Sequence, residues 1–587
     1  MTVPPSRARI VITSIETQDG RKVIPPTAGV TVIVGANNSG KSTFLREIGD
    51  IAATEPHLIP SPKLLKGFTL QTEGTAETLL EELRVAGLYM ERGPQNSGYK
   101  FASGVMHENV VRRHWDSRAS GKLGNLAQFF IYHVTATNRI GGVSPQVRRA
   151  DIADPPENPM HVLEDNEDIL EKVQGISTKI FRETLTLDRI SNNIQLRVGE
   201  PSIPAPPIDK VTKEYRAALI ALDRLQDQGD GMTAVLGLLV PVICGRQNIA
   251  LIDEPEAFLH PPQARVVGEL LGQLSVERDM QILLATHDRN VLIGLLQSRV
   301  PVTVVRLDRS TLPTSVHILD YEQVRNLWDD PVLRYSNLLD GLFHHAVVLC
   351  EAERDCTFYS ASLDTASEHS KLSFSPGDIL FVPSGGKDGF HGMVKALKAV
   401  SVPVTAIPDI DLLDDKSKLR LLFEAMGGYW RQIDSSYNIA TQKFHQPRRE
   451  VTNAQILNAL QAALSPKLAE KYDSNMRETL RAAMRIDPSP WAELKQYGMD
   501  AFQGQARTEA TKMLERLRAV GLVLVERGEL ENLAPSVESK KGKNWINEAL
   551  QKRAHQDRYA QEHISQVICA ITHLLGSDPH ATCSVTG

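Results

Sequence analysis

A glycine-rich loop follows the apolar run Val32–Val34 and contains the residue types that hold phosphate groups. Gly35, Gly40, Lys41 and Ser42 stand at the spacing of the Walker A motif, directly before a helical stretch. In such a loop the backbone N–H groups point at phosphate oxygens, the lysine reaches the β- and γ-phosphates, and the serine hydroxyl binds Mg²⁺. The loop is therefore predicted to bind ATP and Mg²⁺ through Gly35, Asn37, Asn38, Ser39, Gly40, Lys41, Ser42 and Thr43.

Two further apolar runs end in polar residues suited to ATP hydrolysis. Ile249–Ile252 is followed by Asp253, placed to hold Mg²⁺ through water, and by Glu254, placed to polarise the attacking water. Ile282–Ala285 is followed, after one threonine, by His287. ABC and SMC-like ATPases carry a switch histidine at the end of the strand that follows the Asp-Glu pair, so His287 is predicted to sense the γ-phosphate.

The segment Gln228–Met232 is the best candidate for a signature loop, which in ABC ATPases acts on the ATP of the opposite subunit. Gly229 and Gly231 precede an apolar helical stretch whose N-terminus could donate to a γ-phosphate. Asp230 stands where ABC proteins usually have serine, and a carboxylate repels phosphate, so slow turnover is expected. A composite site of this kind predicts a homodimer or a higher homo-oligomer through the ATPase domain.

The second half carries acidic residues at the ends of strand-like runs. Glu351 follows Ala346–Cys350, and Asp355 comes four residues later. Asp409 and Asp411 end another run, and their spacing of two puts both carboxylates on one side of an extended chain. Asp-x-Asp is also common in exposed loops, but the ordered set favours a site for Mg²⁺ or Mn²⁺. Glu351 would complete that site or act as a general acid or base.

The order Glu-x-x-x-Asp, Gly-Gly-Lys and Asp-x-Asp resembles a Toprim domain. Its position behind an ABC-type ATPase resembles the OLD (overcoming lysogenisation defect) nucleases, including those of Gabija-type antiphage systems. The resemblance spans nearly the whole chain and implies metal-dependent DNA cleavage. It implies that the metal ligands of the nuclease are Glu351, Asp355, Asp409 and Asp411.

The resemblance also implies two later elements of the nuclease site. A second acidic motif matches Glu529 and Glu531, of which Glu531 is favoured, and both are candidate metal ligands. A basic group near the reacting phosphate matches Lys541 or Lys543, although a solvated turn is the alternative for this lysine cluster. Ala352 departs from the family pattern, because Toprim domains usually have glycine there, and glycine permits backbone conformations that alanine does not.

These motifs require two α/β domains to position them. We expect an ABC-type P-loop ATPase at 1–339, with an inserted, partly helical dimerisation segment at about 150–225. A Toprim α/β domain is expected at 340–587, with a helical insertion at about 413–517 and a C-terminal helical tail. The short, nearly continuous apolar runs are typical of strands buried on both faces of a parallel sheet. Val520–Val525 is predicted to return to the second sheet as a strand.

The composition limits the class of protein. A chain of 587 residues exceeds the roughly 250–300 residues at which one hydrophobic core stops growing, so two major domains are expected. The net charge of −6 gives no overall basic signal for nucleic acid, but it does not exclude a nuclease with carboxylate-bound metal ions. We find no membrane-length apolar stretch, no secretory apolar run and no CxxC spacing, so a cytoplasmic protein without membrane contact is expected.

The combined prediction is an ATP-regulated, divalent-metal-dependent DNA endonuclease or nickase in antiphage defence. Family analogy adds a co-encoded partner, either a helicase or a reverse transcriptase with its nucleic acid. The alternative is an SMC- or repair-like mechanical or scaffold ATPase that binds DNA with a non-catalytic Toprim domain. Long coiled-coil arms would mark an SMC protein, and the sequence has none. A transporter ATPase is disfavoured by the C-terminal half.

Overall fold

The chain divides into two compact units, Met1–Phe343 and His344–Gly587. The computed structural model describes residues 7–55, 57–90, 98–101, 104–116, 121–151, 153–309, 313–329, 337–445, 452–467, 471–484, 490–538 and 543–576.

The first unit is built on a mixed sheet whose six described strands place the phosphate loop at its centre. Five of these strands run parallel, and one edge strand runs antiparallel. The central strands are buried along their whole length, as expected for continuous apolar runs covered on both faces. In spatial order the strands are Ser315–Leu319, Val302–Asp308, Gly29–Val34, Gln281–Ala285, Ile249–Asp253 and Ile131–Val134.

An antiparallel sheet packs beside the phosphate-loop helix Lys41–Ala53 in the same hydrophobic core. The side chains of Ile12, Phe44 and Leu65 are all buried there. Its strands are Lys22–Val23, Arg9–Thr17 and Leu65–Glu73. A second small sheet consists of Tyr89–Met90, Gly98–Phe101 and Gly104–Met106. A third consists of Leu185–Asp188, Asn193–Val198 and Gln146–Val147.

The helices of the first unit lie between and around these strands. Residues 150–225 hold three of them together with the hairpin Leu185–Asp188 and Asn193–Val198. The α-helices of this unit are Lys41–Ala53, Ala76–Val85, Glu108–Asp116, Ala127–Phe130, Pro159–Asp165, Glu167–Phe181, Lys213–Ile220, Asp230–Cys244, Pro261–Glu277, Arg289–Gln297 and Tyr321–Asp329.

The second unit has a small parallel sheet in the order Ile379–Pro383, Ala346–Cys350 and Val404–Ile407. The predicted strand at Val520–Val525 is only partly formed, because it meets this sheet through two isolated bridges. Val525 donates its N–H to the carbonyl of Pro408 at 3.2 Å, but Pro408 has no N–H to return. Proline thus interrupts the ladder at the point where the acidic Asp409 begins.

Helices cover this sheet and form most of residues 413–517. The longest C-terminal helix, Arg558–Leu574, shares a hydrophobic core with the sheet and with Glu353–His369. No helix among the described residues is long and apolar enough to cross a bilayer. The α-helices of this unit are Glu353–His369, Gly389–Ala399, Lys416–Ala425, Asp434–Thr441, Asn453–Leu464, Ser474–Ala483, Pro490–Tyr497, Gly504–Ala519, Lys543–Gln551 and Arg558–Leu574.

Candidate functional site

The phosphate loop turns tightly between its buried strand and the helix Lys41–Ala53. Gly35 has φ 146°, and a Cβ there would lie 2.5 Å from the carbonyl oxygen of Leu307, so only glycine fits. Gly40 has φ 103° at the start of the helix. The Lys41 ammonium donates to the carbonyls of Gly35 and Ala36 at 2.9 and 3.0 Å, which holds it inside the curve of the loop.

The remaining residues predicted to bind phosphate lie in the same loop and in the first turn of the helix that follows it. Asn38 adopts a left-handed conformation with φ 61°, and both Asn37 and Asn38 are exposed. Ser39 is buried and donates its N–H to the carbonyl of Ala36 at 3.2 Å. Thr43 accepts a hydrogen bond from Arg46 one turn further along the helix. The loop thus leads into the N-terminus of the helix Lys41–Ala53, where the first backbone N–H groups have no partner within the helix.

The two predicted Mg²⁺ ligands of this unit meet although they are far apart in sequence. Ser42 donates its hydroxyl to a carboxylate oxygen of Asp253 at 3.1 Å. Burial raises the pKa of Asp253, and the neighbouring Glu254 raises it further. Burial also lowers the pKa of Lys41, which the carboxylates of Glu254, Glu256 and Asp253 oppose. The donor set of hydroxyl, carboxylate and ammonium fits Mg²⁺ and a polyphosphate.

The catalytic candidate Glu254 has an unusual backbone, which a buried arginine supports. Its φ is 50°, and its N–H donates to the carbonyl of Ala285 at 2.9 Å. Arg139 donates to the carbonyls of Glu254 and Pro255 at 2.7 and 3.2 Å, and Arg139 is only 1% exposed. Sequence reasoning missed Arg139, since it belongs to no motif and lies 115 residues from Glu254.

His287 is held by the buried carboxylate of Glu256, which sequence reasoning also left out of the site. Its ring Nδ1 lies 3.1 Å from Glu256 Oε1 and 3.7 Å from Glu254 Oε1. The backbone N–H of His287 donates to Glu256 at 2.9 Å. Burial raises the pKa of Glu256, while the hydrogen bond from His287 lowers it. The adjacency of Glu256 to the Asp253–Glu254 pair was the available signal, and Glu256 positions the histidine beside Glu254.

We expect Arg139→Lys to lower the rate of ATP hydrolysis about tenfold while ATP binding persists. A lysine cannot donate to both carbonyls in the planar arrangement of a guanidinium, so the left-handed backbone at Glu254 loses support. Steady-state phosphate release and nucleotide affinity measure the two effects separately. Arg265→Lys, at an exposed arginine of the same unit, is the matched control. An unchanged hydrolysis rate in Arg139→Lys would contradict this role.

The candidate signature segment forms the start of the helix Asp230–Cys244. Gly229 is the residue before that helix, and Thr233 donates its hydroxyl to the carbonyl of Asp230 at 3.1 Å. A Cβ on Gly231 would lie 2.9 Å from the carbonyl oxygen of Phe258, so this glycine packs against the loop that follows Glu256. No described hydrogen bond joins Gly229 or Gly231 to the phosphate loop.

In the second unit, carboxylates from neighbouring parallel strands gather at one edge of the sheet. One oxygen from each of Glu351, Asp409 and Asp411 lies within 4.8 Å of the others. Glu351 follows the central strand, Asp409 follows the adjacent one, and the Asp409 N–H donates to Glu351 at 3.1 Å. Parallel strands end at the same edge, which is why residues far apart in sequence meet there.

The electrostatics of this cluster favour a divalent cation. Burial, followed by repulsion from Glu351, Asp411 and Asp355, raises the pKa of Asp409 to about 8. Burial also raises the pKa values of Glu351 and Asp355. Repelling carboxylates this close are stabilised in the ionised state by a hard cation with oxygen ligands. The residues present therefore fit Mg²⁺.

Two lysines contact Asp411, one at each of its carboxylate oxygens. Lys387 lies 2.6 Å from Oδ1, and Lys495 lies 3.1 Å from Oδ2. Burial raises the pKa of Asp411, but these two ammonium groups outweigh it and hold the pKa below its usual value. Lys387 belongs to the Gly-Gly-Lys motif, which was a usable signal. Lys495 lies 84 residues from Asp411 within a helical stretch, and nothing in the sequence singled it out.

Asp355 lines a cleft of 440 Å³ together with Glu351 and Asp409. It accepts a hydrogen bond from the Ala352 N–H at 3.0 Å, and Arg354 bridges it to Glu531 with separations of 3.3 and 3.1 Å. Ala352 has φ −138°, an extended conformation open to any residue. The departure from glycine at this position therefore leaves the loop unstrained.

The later candidates are distributed unevenly around this cleft. Glu531 approaches Asp355 through Arg354, whereas Glu529 lies 3.4 Å from Lys495 and thus approaches Asp411. Lys541 lies outside the described residues. Lys543 begins the helix Lys543–Gln551, and the structure does not describe its side chain.

Comparisons with known proteins support the ATPase assignment. Residues 149–294 match the family described as "AAA domain, putative AbiEii toxin, Type IV TA system", and this range contains Asp253, Glu254 and His287. Together with the phosphate loop at the centre of the mixed sheet, this match shows a P-loop ATPase domain. The prediction of such a domain in the first half is confirmed.

The curated relatives are more distant. The chain is 25% identical over 162 residues to protein ea59 of Escherichia phage lambda, covering 26% of this chain and 31% of that protein. It is 21% identical over 265 residues to endonuclease GajA of Bacillus cereus (strain HuB5-5), covering 39% of this chain and 36% of GajA. The alignments thus span about one third of each relative's length.

Among solved structures, the Smc head bound to the C-winged helix domain of ScpA is similar with a TM-score of 0.32 and 13% identity. The similarity covers 53% of this chain and 99% of that one.

Proposed function

We propose that this protein is an ATP-regulated, divalent-metal-dependent DNA endonuclease or nickase that acts in antiphage defence. The observation that carries the proposal is the meeting of Glu351, Asp409 and Asp411 within 4.8 Å at the edge of a parallel sheet. The likeness to endonuclease GajA supports a nuclease, and the motif order supports a Toprim domain of the OLD type. The same likeness supports DNA as the substrate.

In this proposal the carboxylates hold Mg²⁺, and Mn²⁺ can replace it. Glu351, Asp409 and Asp411 form one ligand set, and Asp355 with Glu531 supplies the second. Two Mg²⁺ ions would activate water and stabilise the departing 3′ oxygen of an in-line displacement. Glu351, which accepts a hydrogen bond from the Asp409 N–H, would either complete the first set or act as general acid or base.

The ATPase domain would control this activity from an ABC-type composite site. Glu254 is the proposed base of hydrolysis, His287 the γ-phosphate sensor, and Gly229 and Gly231 the signature glycines that act on the partner's ATP. That arrangement calls for a homodimer or a higher homo-oligomer. A co-encoded helicase, or a reverse transcriptase with its nucleic acid, would be the partner in defence, by family analogy.

The test is cleavage of supercoiled plasmid DNA by the full-length protein with Mg²⁺ or Mn²⁺, in the presence and absence of ATP. We expect wild type to nick or linearise the plasmid and Asp409→Ala/Asp411→Ala to leave it intact. Circular dichroism checks that the double variant is folded. Equal cleavage by both proteins would refute the nuclease proposal and leave the scaffold ATPase as the alternative.

A further inference from the structure

Lys495 is supplied to the carboxylate cluster by a helix outside the sheet that forms it. The helix Pro490–Tyr497 belongs to the helical stretch between the Asp-x-Asp motif and the later acidic motif. Its lysine contacts Asp411 at 3.1 Å and Glu529 at 3.4 Å, so one ammonium group contacts both a proposed metal ligand and a carboxylate of the later acidic motif. The two carboxylates are 15% and 16% exposed, whereas Lys495 is 37% exposed. The cation is therefore the member of the group that solvent or substrate can reach.

Close backbone packing fixes this helix to the acidic loop. A Cβ on Gly528 would lie 2.1 Å from the carbonyl oxygen of Lys495, and Gly528 has φ 112°, so only glycine is accommodated. Asn532 donates to the carbonyls of Lys495 and Arg527 at 3.3 and 2.7 Å. The Met499 N–H donates to the carbonyl of Glu526 at 2.7 Å. The backbone at Lys495 is thus held by contacts that do not involve its ammonium group.

The position of Lys495 conflicts with a cation at Asp411. A divalent ion bound to Oδ2 at about 2.1 Å would lie at most about 5 Å from an ammonium group that stays 3.1 Å from the same oxygen. Like charges at that separation in a partly buried site repel strongly. Lys387 already neutralises the other oxygen at 2.6 Å, so Lys495 is the second of two positive charges on one carboxylate.

We propose that Lys495 is a transferable counterion: it neutralises Asp411 and Glu529 in the DNA-free protein and moves onto a DNA phosphate when a divalent ion and substrate enter the site. This inference rests on the proposed nuclease function. An ammonium group makes strong charge-assisted hydrogen bonds to phosphate, so the transfer exchanges one anionic partner for another. Lys495 would thereby couple DNA binding to metal binding, and it is a substrate-binding residue of the helical stretch.

The first measurement is Mn²⁺ binding to the full-length protein by calorimetry, without nucleotide or DNA. We expect Lys495→Gln to bind Mn²⁺ about tenfold more tightly than wild type, because the competing charge is gone. The double variant Asp409→Ala/Asp411→Ala should lack the binding heat of this site, which identifies the part of the signal that belongs to the carboxylate cluster. Lys443→Gln is the matched control, since Lys443 forms a half-exposed ion pair with Glu493 in the same helical stretch. Its Mn²⁺ affinity should equal that of wild type.

The second measurement is the salt dependence of binding to a labelled DNA duplex in Ca²⁺. Losing one phosphate contact should reduce the slope of log affinity against log salt by about 0.9 in Lys495→Gln. Lys495→Arg keeps the charge and should keep the wild-type slope. Lys495→Met is the second neutral variant, to be used if Lys495→Gln shows an altered circular dichroism spectrum.

The outcomes separate this inference from the proposed function. Mn²⁺ affinity that is unchanged or weaker in the neutral variants would overturn the counterion role, and an unchanged salt slope would overturn transfer to phosphate. Neither measurement depends on cleavage. A protein that shows both effects but never cuts DNA would keep Lys495 as a counterion and lose the nuclease assignment.

Discussion

Asp409→Asn is expected to reduce metal-dependent DNA cleavage by about two to three orders of magnitude and, at the same time, to stabilise the metal-free protein. Both effects follow from the loss of the negative charge of Asp409. Burial, followed by repulsion from Glu351, Asp411 and Asp355, raises the pKa of Asp409 to about 8. An amide of the same shape removes that repulsion, but it also removes a ligand that Mg²⁺ requires.

The sign of the pH dependence follows from this raised pKa. An unfolded chain releases the Asp409 proton near its usual pKa of about 3.9, whereas the folded, metal-free protein keeps it up to about pH 8. Between these values the folded state binds more protons, so the free energy of unfolding of wild type falls as pH rises. Asparagine does not titrate, and the stability advantage of the variant should therefore grow by about 2–3 kcal/mol from pH 6 to pH 8.

Urea unfolding in EDTA at these two pH values measures the stability effect, and plasmid cleavage measures the loss of activity. Asp388→Asn is the matched control, because Asp388 is 84% exposed and pairs with Lys418 outside the cluster. It should change neither quantity. Lower stability of Asp409→Asn at pH 8 would show that the cluster does not repel this carboxylate.

Lys41→Ala is expected to weaken ATP binding about 100-fold or more. The Lys41 ammonium lies within the curve of the loop at 2.9 and 3.0 Å from two of its carbonyls, where a β- or γ-phosphate would replace them as acceptors. Burial already lowers the pKa of Lys41, so the folded state loses little when this charge is removed. Binding of a fluorescent ATP analogue measures the loss of affinity, and thermal unfolding measures the small change in stability.

Lys66→Ala serves as the control for Lys41→Ala, since Lys66 is an exposed lysine on the strand Leu65–Glu73 of the same unit. Its nucleotide affinity should equal that of wild type. If Lys41→Ala retains wild-type affinity, the nucleotide is bound elsewhere.

Features confined to a short stretch of chain were predictable from the sequence. The phosphate loop needs glycines at two strained positions and a lysine next to them, and all of these are contiguous with the strand that precedes them. The runs Ile249–Ile252 and Ile282–Ala285 form strands because continuous apolar residues must be buried on both faces. The spacing of Asp409 and Asp411 indicated that they act together, but the extended chain expected there is wrong, because Ile410–Asp414 is a 3-10 turn.

Only the tertiary structure decided which distant residues complete each site. Arg139 supports Glu254 across 115 residues, and Lys495 reaches Asp411 across 84. The tertiary structure also distinguished the two later glutamates: Glu529 approaches Asp411, and Glu531 approaches Asp355. Such contacts depend on how helices pack against strand ends, and a local pattern of residue types carries no record of that packing. Pro408 is another example of a residue whose effect the sequence does not reveal. Its missing N–H interrupts the hydrogen bonding between two neighbouring chain segments, and this matters only because the fold brings Val525 beside it.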